Sequence, residues 1–392
     1  MTNRRTDRRA TAPAVDHARI ACFFSTSGHS GVDRAAQHLI PALARRSYRV
    51  DLLKVRRHGP ELTEIPPGVQ VIDLGSRHTY ACLPALRRYL RQARPAALLA
   101  DKDRVNRTAL LARALARVPT RLVLSVGTTV SVDLAGRGVI ERGVQRLSMG
   151  WLYRLADQVI ANSQGVAEDL ARYTGLPRDA IRVVPRPVVP ASLWTTARPP
   201  CPHPWLADPT RPLILSVGEL CERKDFATLL RAFARVRRQQ PCRLMILGDG
   251  STRQALIDQA TALGILEDLA LPGFVPNPYA YMAHADLFVL TSRWEGLGFV
   301  LIEALAVGTP VVATDCPNGP AEILQQGRYG PLVGVGDDHA LAEAMLATLD
   351  RPLAPERLRE AARPYEIERS TDAYLAAMGL PPAPGVNQPH CR

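Results

Sequence analysis

The chain alternates between short apolar runs and longer segments whose apolar residues recur at helical spacing. The runs have the length of buried strands, and segments such as 225–238 and 251–263 have the periodicity of amphipathic helices. This alternation is typical of parallel βαβ units and predicts an α/β fold. The predicted strands are residues 20–25, 50–55, 69–74, 96–100, 121–126, 158–162, 182–185, 212–217, 243–248, 270–274, 286–291, 310–314 and 331–335.

A proline-rich stretch separates the first seven predicted strands from the last six. It runs from residue 186 to 212 and reads RPVVPASLWTTARPPCPHPWLADPTRP, which excludes a continuous helix or a central strand. The 392 residues are enough for two ordinary α/β domains. We therefore predict two Rossmann-like parallel-sheet domains, over 19–188 and 212–364, joined by an extended linker over 189–211. They should face each other across a ligand-binding cleft.

The two ends of the chain are predicted to lie outside these domains. Residues 1–18 are rich in arginine but contain no apolar segment of a secretory signal, so we interpret them as a disordered basic tail. Residues 365–380 have the pattern of a C-terminal helix, for which a return to the first domain is one arrangement, and 381–392 form a predicted unstructured tail. No apolar stretch approaches the roughly 20 residues that span a bilayer. The seven scattered cysteines indicate a reducing compartment, so we expect a cytoplasmic protein.

Positive charge is concentrated in the first half of the chain. Residues 1–200 contain 32 Lys and Arg against 15 Asp and Glu, whereas residues 201–392 contain 17 against 22. A basic first half fits an anionic membrane surface, an acceptor that carries phosphate, or nucleic acid. No nucleic acid is expected, because the first half has few aromatic residues for stacking and no recognisable binding module.

One segment of the first half combines an apolar helical face with several arginines. The segment is residues 137–163, RGVIERGVQRLSMGWLYRLADQVIANS. Its apolar face and the nearby arginines are Ile140, Val144, Leu147, Trp151, Leu155, Arg137, Arg142, Arg146 and Arg154. We expect an amphipathic helix that packs on the first sheet, and the alternative is a helix that lies in a membrane interface.

The most informative stretch begins after the predicted strand 286–291. It reads SRWEGLGFVLIEALAVGTPVVATDCPNGPAEIL over 292–324, in which a glycine-broken turn leads into a helix. Glycines at 296 and 298 allow a ligand to approach the backbone closely. The N–H groups of Gly298, Phe299 and Val300 at the start of this helix can therefore bind phosphate or sugar oxygens.

Two carboxylates in this stretch are eight residues apart. Glu295 precedes the helix and Glu303 lies more than one turn inside it, so both can face one ligand from different heights. A carboxylate that accepts from vicinal hydroxyls is a common way to hold a ribose or a hexose. The stretch resembles the E-x7-E signature of retaining glycosyltransferases of family 4, which have the two-domain GT-B fold. The resemblance implies that Glu295 lies by the donor hexose and that Glu303 binds the ribose of the nucleotide.

A second stretch contains one of only three lysines in a chain that has 46 arginines. It reads LSVGELCERKDFATLLRAF over 215–233 and resembles the family segment that supplies an Arg and a Lys to the donor diphosphate. Lys224 falls at the Lys position, and Lys and Arg are not interchangeable at a phosphate. The family's Arg position holds Glu219, which repels a diphosphate, so we expect Glu219 to face elsewhere or Arg223 to compensate. Gly218 lies in the same turn at the donor.

Further turns extend the resemblance. Gly248, Asp249 and Gly250 follow a predicted strand, as does the family loop near the nucleobase, and residues 273–287 resemble the segment whose backbone lies against the base. In the first domain, Gly31 in FFSTSGHSGVDRAAQHL takes the place of a family glycine close to the donor phosphates and the acceptor.

Two positions of the first domain depart from the family pattern. Ser30 stands where the family has the first of two glycines. The sequence SVGTTVS, which begins at residue 125, lacks the His that many members have there. We therefore assign no catalytic His and interpret His29 and His78 as solvated or structural.

The resemblance implies a metal-independent, retaining hexosyltransferase that needs no cofactor. Its donor would be a nucleotide sugar, UDP-linked by similarity over GTPVVATDCPNGPAEIL, from which it moves a hexosyl or N-acetylhexosaminyl group. A glycan or a polyprenyl-diphosphate-linked glycan at the inner membrane face fits the basic first half, as does a soluble acceptor. Three alternatives stay open: a UDP-sugar epimerase or phosphorylase of the same fold, a basic nucleic-acid- or membrane-binding protein, and an inactive glycosyltransferase homologue.

Overall fold

The structure is a computed structural model that describes residues 18–26, 31–56, 58–134, 136–195, 203–208 and 210–382. Within these residues the chain forms one parallel sheet of seven strands and a second of six. The predicted α/β class with two Rossmann-like sheets is therefore confirmed. The predicted basic tail up to residue 17, the end of the chain from residue 383, and His29 and Ser30 lie outside the described residues.

The first sheet and its helices form the first half of the chain. Its strands are β1 (Arg19–Phe24), β2 (Arg49–Lys54), β3 (Val69–Asp73), β4 (Ala97–Asp101), β5 (Arg121–Val126), β6 (Gln158–Ala161) and β7 (Ile181–Val183). Its helices are α1 (Gly31–Arg45), α2 (Leu83–Ala93), α3 (Asp103–Ala116), α4 (Val130–Asp133), α5 (Val139–Leu152) and α6 (Gln164–Thr174). The strand order is β3-β2-β1-β4-β5-β6-β7.

The second sheet repeats this plan. Its strands are β8 (Leu213–Val217), β9 (Arg243–Leu247), β10 (Leu269–Gly273), β11 (Leu287–Leu290), β12 (Val311–Thr314) and β13 (Leu332–Val333), in the order β10-β9-β8-β11-β12-β13. The helices of this half are α7 (Ser192–Thr195), α8 (Pro204–Ala207), α9 (Phe226–Gln239), α10 (Arg253–Ala262), α11 (Tyr279–His284), α12 (Phe299–Val307), α13 (Pro320–Ile323), α14 (Asp338–Asp350), α15 (Pro355–Ala362) and α16 (Ile367–Ala377).

All thirteen predicted strands are present, with ends that differ by at most two residues. The central strands β1, β4, β8 and β11 are buried along almost their whole length. Helices cover both faces of each parallel sheet, so such strands read as continuous apolar runs. In each sheet the strand order reverses between two neighbours, β1 and β4 in the first and β8 and β11 in the second. Ligands of such folds bind outside the carboxyl ends of the strands at this switch point.

The chain passes twice between the two sheets, and the two passages are hydrogen-bonded to each other. The N–H groups of Val188 and Val189 both donate to the carbonyl oxygen of Tyr365, at 2.9 and 3.0 Å. The N–H of Ile367 donates back to Val189 at 3.0 Å. The described parts of the linker also contain the one-turn helices α7 and α8, which the predicted extended connection did not include. α7 is one turn long and lies between Pro190 and Pro199 in the sequence, and α8 begins at Pro204, because the first turn of a helix tolerates proline.

The C-terminal helix α16 packs against the first sheet. Tyr374 and Leu375 of this helix, with Met378 directly after it, share a buried apolar cluster with Ile20 and Cys22 of β1. At its N-terminal end, the guanidinium of Arg46 lies 2.7 Å from Glu368 and 2.9 Å from Asp372. The last helix therefore ties the end of the chain back to the first half.

Helix α5 does not pack in the predicted orientation. Its buried residues are Gln145, Met149 and Gly150, whereas the apolar face that we expected to contact the sheet is exposed. Inside, the Gln145 amide donates to Asp103 at 2.9 Å, and the Arg142 carbonyl accepts from Tyr173 at 3.1 Å. The expectation of an inward apolar face is therefore wrong, because this helix is held by polar contacts on its inner side.

Candidate functional site

Lys224 and Glu295 meet at the switch point of the second sheet. Lys224 ends a short 3₁₀ turn in the loop after β8, and Glu295 lies in the loop after the neighbouring strand β11. The two loops are joined by hydrogen bonds, because the Arg293 N–H donates to the Arg223 carbonyl at 2.8 Å and the Thr291 hydroxyl donates to the Lys224 carbonyl at 2.8 Å. Residues 71 apart in sequence are thus fixed beside each other.

The Glu295 carboxylate is buried and surrounded by donors. The Lys224 ammonium donates to its Oε1 at 2.5 Å, and the Ser292 hydroxyl donates to the same oxygen at 2.7 Å. An Arg223 guanidinium nitrogen lies 3.3 Å from the second oxygen, Oε2. Lys224 and Glu295 are each less than 9% exposed, so this ion pair is largely shielded from solvent screening.

Two opposing effects set the pKa of Glu295. Burial alone raises the pKa, because it disfavours the charged form. The positive charges of Lys224 and Arg223 and the hydrogen bonds outweigh burial, so the pKa of Glu295 lies below its ordinary value. Glu295 is therefore held as a carboxylate in a place from which water is largely excluded.

Helix α12 begins at the carboxyl edge of the sheet, directly after this loop. Gly298 precedes it with φ of +84°, a left-handed conformation that other residues rarely adopt. The N–H groups of Phe299 and Val300 belong to the first turn, where an α-helix leaves its N–H groups unpaired. The predicted anion-binding backbone thus lies at a helix N-terminus, within five residues of Glu295.

Glu303 is fully buried in α12, and its partner comes from the first domain. Arg34 of α1 contacts both carboxylate oxygens as an ion pair, and the Tyr279 hydroxyl lies 3.3 Å from Oε1. Burial raises the pKa of Glu303, and the Arg34 charge and the hydrogen bonds oppose that rise. No hydrogen bond or ion pair between described residues joins Glu303 to Lys224 or Glu295. The predicted residues therefore form two clusters. Lys224 and Glu295 lie together before α12, and Glu303 lies inside α12 with Arg34 and Tyr279.

Glycines allow the chain segments of the predicted site to approach each other. A Cβ on Gly31 would lie 3.2 Å from the Phe299 ring, so the start of α1 touches the start of α12. A Cβ on Gly248 would lie 1.9 Å from the Gly218 carbonyl oxygen, which no side chain permits. Gly218 in turn packs against the Lys224 side chain, where a Cβ would lie 3.0 Å from Cε. The turn at Gly248 thus packs on the Lys224 loop, whereas the turn at Gly31 packs on the start of α12.

Contacts between loops bring the carboxyl ends of the two sheets together. The Asn162 amide donates to the Gly296 carbonyl at 3.4 Å, and the Gln164 N–H donates to Glu322 at 2.7 Å. The Asn318 side chain also hydrogen-bonds Thr129 across the same boundary. Together with the Arg34–Glu303 pair, these contacts place α12 at the boundary between the two domains.

We expect the Gly296→Ala variant to lose at least about tenfold in kcat/KM for the glycosyl transfer that the resemblance implies, because small displacements of a site have large effects on rate. A Cβ at this position would lie 2.5 Å from the Gly127 carbonyl oxygen in the first domain, so the domains could not approach as closely. The matched control is Gly334→Ala, whose Cβ would meet nothing nearer than 3.8 Å. Steady-state kinetics and the melting temperature check the pair. Wild-type turnover by Gly296→Ala would contradict the closed arrangement as the active one.

Other residues that the sequence analysis singled out lie outside the two clusters or at their edge. Glu219 is exposed, and Arg223 is the guanidinium beside Glu295. His78 is exposed in the loop before α2. Asp249 accepts from the N–H of Gly250 at 2.8 Å in the predicted nucleobase loop. In the described part of the chain, no group of three or more His, Cys, Asp or Glu side chains could hold a metal ion.

The sequence reasoning missed Arg34 and Tyr279. Tyr279 lies within the segment 273–287 that was predicted to contact the base, but its hydroxyl had no assigned role. Arg34 follows Gly31 by three residues, yet its partner Glu303 is 269 residues away on the other domain. Its position one turn after Gly31 was the only signal in the sequence.

Family models match both halves of the chain. The model described as Glycosyl transferases group 1 matches residues 202–365, and the model described as Glycosyltransferase Family 4 matches residues 29–192. The chain is 32% identical over 259 residues to an N-acetylgalactosamine-N,N'-diacetylbacillosaminyl-diphospho-undecaprenol 4-alpha-N-acetylgalactosaminyltransferase of Campylobacter jejuni, covering 66% of the chain and 67% of that relative. It is 33% identical over 239 residues to the lipopolysaccharide core biosynthesis glycosyltransferase LpsE of Rhizobium meliloti, covering 59% and 66%.

Solved structures share the whole fold. The crystal structure of HepE from Anabaena in complex with UDP superposes with a TM-score of 0.76 at 18% identity, covering 92% of this chain and 99% of that chain. The apo form of the lipopolysaccharide outer core galactosyltransferase WaaB gives 0.72 at 18% identity with the same coverage.

The two facing parallel-sheet domains place the chain in the GT-B fold class, to which these solved structures belong. Within that class, the chain belongs to the family of group 1 and family 4 glycosyltransferases. The predicted family and the predicted glycosyltransferase function are therefore confirmed. Within the described residues, no helix is both long and apolar enough to cross a bilayer.

Proposed function

We propose that this glycosyltransferase moves a hexosyl or N-acetylhexosaminyl group from a UDP-linked donor to a lipid-linked glycan, with retention and without a metal ion. The observation that carries the proposal is the buried Lys224–Glu295 pair beside the N-terminus of α12 at the switch point. A relative whose name specifies a diphospho-undecaprenol acceptor supports the acceptor class. A solved structure of the same fold in complex with UDP supports a uridine nucleotide as the donor.

In this proposal Lys224 and the first N–H groups of α12 stabilise the departing diphosphate. Negative charge develops on its terminal oxygen as the bond to the sugar breaks, and positive groups fixed in a dry site stabilise such charge most strongly. The positive end of the helix acts in the same direction. Lys224 is already positioned by Glu295, so little reorganisation is required when the donor binds.

The proposed transfer breaks the bond between the anomeric carbon and the diphosphate oxygen. The acceptor hydroxyl oxygen forms the new bond on the same face of the sugar, and its proton passes to the departing phosphate oxygen. This route needs no side-chain base from the first domain, which fits the absence of a His in SVGTTVS. Glu295 orients the sugar and buffers the positive character that develops at the anomeric carbon.

Glu303 would anchor the ribose of the donor. Arg34 and Tyr279 hold its carboxylate in place, and each carboxylate oxygen can accept more than one hydrogen bond. Arg34 belongs to the first domain and Glu303 to the second, so the anchor would be complete only when the domains are closed.

The proposed acceptor places the enzyme at an anionic membrane surface. A polyprenyl-diphosphate-linked glycan keeps its diphosphate at the headgroup level, and the first half of the chain carries the positive charge that such a surface attracts. We propose a cytoplasmic protein that contacts the inner face of the membrane peripherally.

A thermal-shift and calorimetric screen with UDP, GDP, ADP and their sugars tests the donor. UDP should raise the melting temperature, because a ligand at 100 times its Kd stabilises the folded state by about 2.7 kcal/mol. GDP and ADP should have much smaller effects. Stabilisation by GDP or ADP alone would overturn the UDP assignment, and epimerisation of a UDP-sugar without any acceptor would favour an epimerase.

A further inference from the structure

The outer face of α5 is an exposed apolar surface. Its residues Ile140, Val144, Leu147 and Trp151 recur at helical spacing, and each is between 62% and 85% exposed. We name these four residues the α5 apolar face. Single exposed apolar residues are ordinary, but a contiguous row that includes a tryptophan marks an interaction surface.

The orientation of this face is fixed by the inner side of the helix. Met149 and Gly150 are buried against the first domain, and a Cβ on Gly150 would lie 2.4 Å from the Thr174 carbonyl oxygen. The Ser148 hydroxyl lies 3.4 Å from Arg107 of α3. A rotation that turned the apolar face inward would break these contacts.

The apolar surface continues beyond α5. Leu155, just after the helix, is exposed, as are Leu111 and Leu115 of the neighbouring helix α3. The polar partners of this region are mostly basic. Residues 137–155 contain four arginines and one acidic residue, Glu141, which pairs with Arg137 at 2.6 Å. Arg146 and Arg154 are exposed.

We infer that the α5 apolar face is the surface by which the protein docks on an anionic lipid bilayer. Leu147 and Trp151 insert at the boundary between headgroups and acyl chains, while Arg146 and Arg154 contact anionic headgroups. The positive charge around the α5 apolar face favours an anionic bilayer over a second copy of the chain as its partner. Two copies packed face to face would bring the same arginines together, whereas an anionic surface complements them.

Membrane docking by α5 rests on the proposed function only in one respect, since the lipid-linked acceptor is the reason for the enzyme to bind a membrane. The α5 segment lies in the first domain, whereas the proposed donor site lies on β8, β11 and α12 of the second. Lipid binding and donor binding can therefore be measured separately.

Sedimentation with vesicles tests the docking surface on the full chain, without donor or acceptor. The vesicles are phosphatidylcholine with or without phosphatidylglycerol at physiological salt. Wild type should bind the anionic vesicles, and the double variant Leu147→Gln/Trp151→Gln should bind them at least about tenfold more weakly, because it loses two large apolar side chains. Arg146→Gln/Arg154→Gln should lose the preference for anionic over neutral vesicles.

The matched control replaces two exposed apolar residues of the second domain. Leu266 and Val335 are each 42% exposed, and Leu266→Gln/Val335→Gln should bind vesicles as wild type does. The shift of melting temperature with UDP should be equal in all these variants. Wild-type vesicle binding by Leu147→Gln/Trp151→Gln would overturn the inference, as would a wild-type dimer in light scattering that this variant abolishes. If UDP did not raise the melting temperature of wild type, that result would instead count against the proposed donor.

Discussion

Replacing Lys224 with methionine is expected to lower kcat by about 100- to 1000-fold, the loss typical of removing one group that stabilises developing negative charge. The change keeps the length and apolar stem of the side chain but removes the ammonium that lies 2.5 Å from Glu295. Steady-state kinetics with a UDP-sugar and a lipid-linked acceptor measure it. The matched control is Lys102→Met, because Lys102 is an exposed lysine of the first domain. Near-wild-type kcat for Lys224→Met would contradict the diphosphate role.

A second variant separates catalysis from folding. Lys224→Met leaves the buried Glu295 carboxylate without its nearest cation, and breaking a buried pair in this way costs about 3 kcal/mol in the free energy of unfolding. The double variant Lys224→Met/Glu295→Gln should recover much of that stability, because neither charge is left buried alone. It should not recover activity. If the double variant regained wild-type turnover, Lys224 would be merely a structural partner of Glu295.

The stability difference between wild type and Lys224→Met should depend on pH. The pKa of Glu295 in the folded wild type lies below its ordinary value of 4.5. The Lys224–Glu295 pair therefore makes its full contribution to the stability of the folded state at any pH well above 4.5. The contribution is lost as the pH falls through the lowered pKa and Glu295 binds a proton. Denaturant unfolding at neutral and acidic pH should therefore show a difference that narrows in acid.

The strands could be predicted because local composition decides them. Each central strand of a parallel sheet is buried on both faces, so its sequence is a continuous apolar run that ends at a turn. The order of the strands also places the loops after β8 and β11 side by side, which explains the meeting of Lys224 and Glu295. The resemblance supplied the two residues, and the topology supplies the physical reason for their contact.

Contacts that depend on the approach of the two domains could not be predicted. The Arg34–Glu303 pair joins α1 to α12, and no local pattern in either helix specifies the other. The predicted orientation of α5 was wrong for a related reason. Periodicity identifies the apolar face of a helix, but it does not say whether that face meets the sheet or the solvent. In α5 the inner side is formed by Gln145, which contacts Asp103, and by the buried Met149 and Gly150.

The Glu303→Gln variant is expected to bind UDP about 10- to 100-fold more weakly, the effect of losing hydrogen bonds to a charged acceptor. The kcat should change far less, because the ribose contact is the same in the ground state and the transition state. Glutamine keeps the volume of a side chain that is fully buried, so the packing of α12 is preserved. Calorimetry of UDP binding and steady-state kinetics measure the two effects.

A comparison with 2′-deoxy-UDP makes the Glu303 test specific to the ribose. Wild type should discriminate against the deoxy compound by about tenfold, since a carboxylate that accepts from a hydroxyl loses a charge-assisted hydrogen bond. Glu303→Gln should lose most of that discrimination, whereas Tyr279→Phe, which removes only a hydroxyl 3.3 Å from Glu303, should retain it. Equal discrimination by wild type and Glu303→Gln would place the ribose away from Glu303. The Arg34–Glu303 pair would then serve only to hold the two domains together.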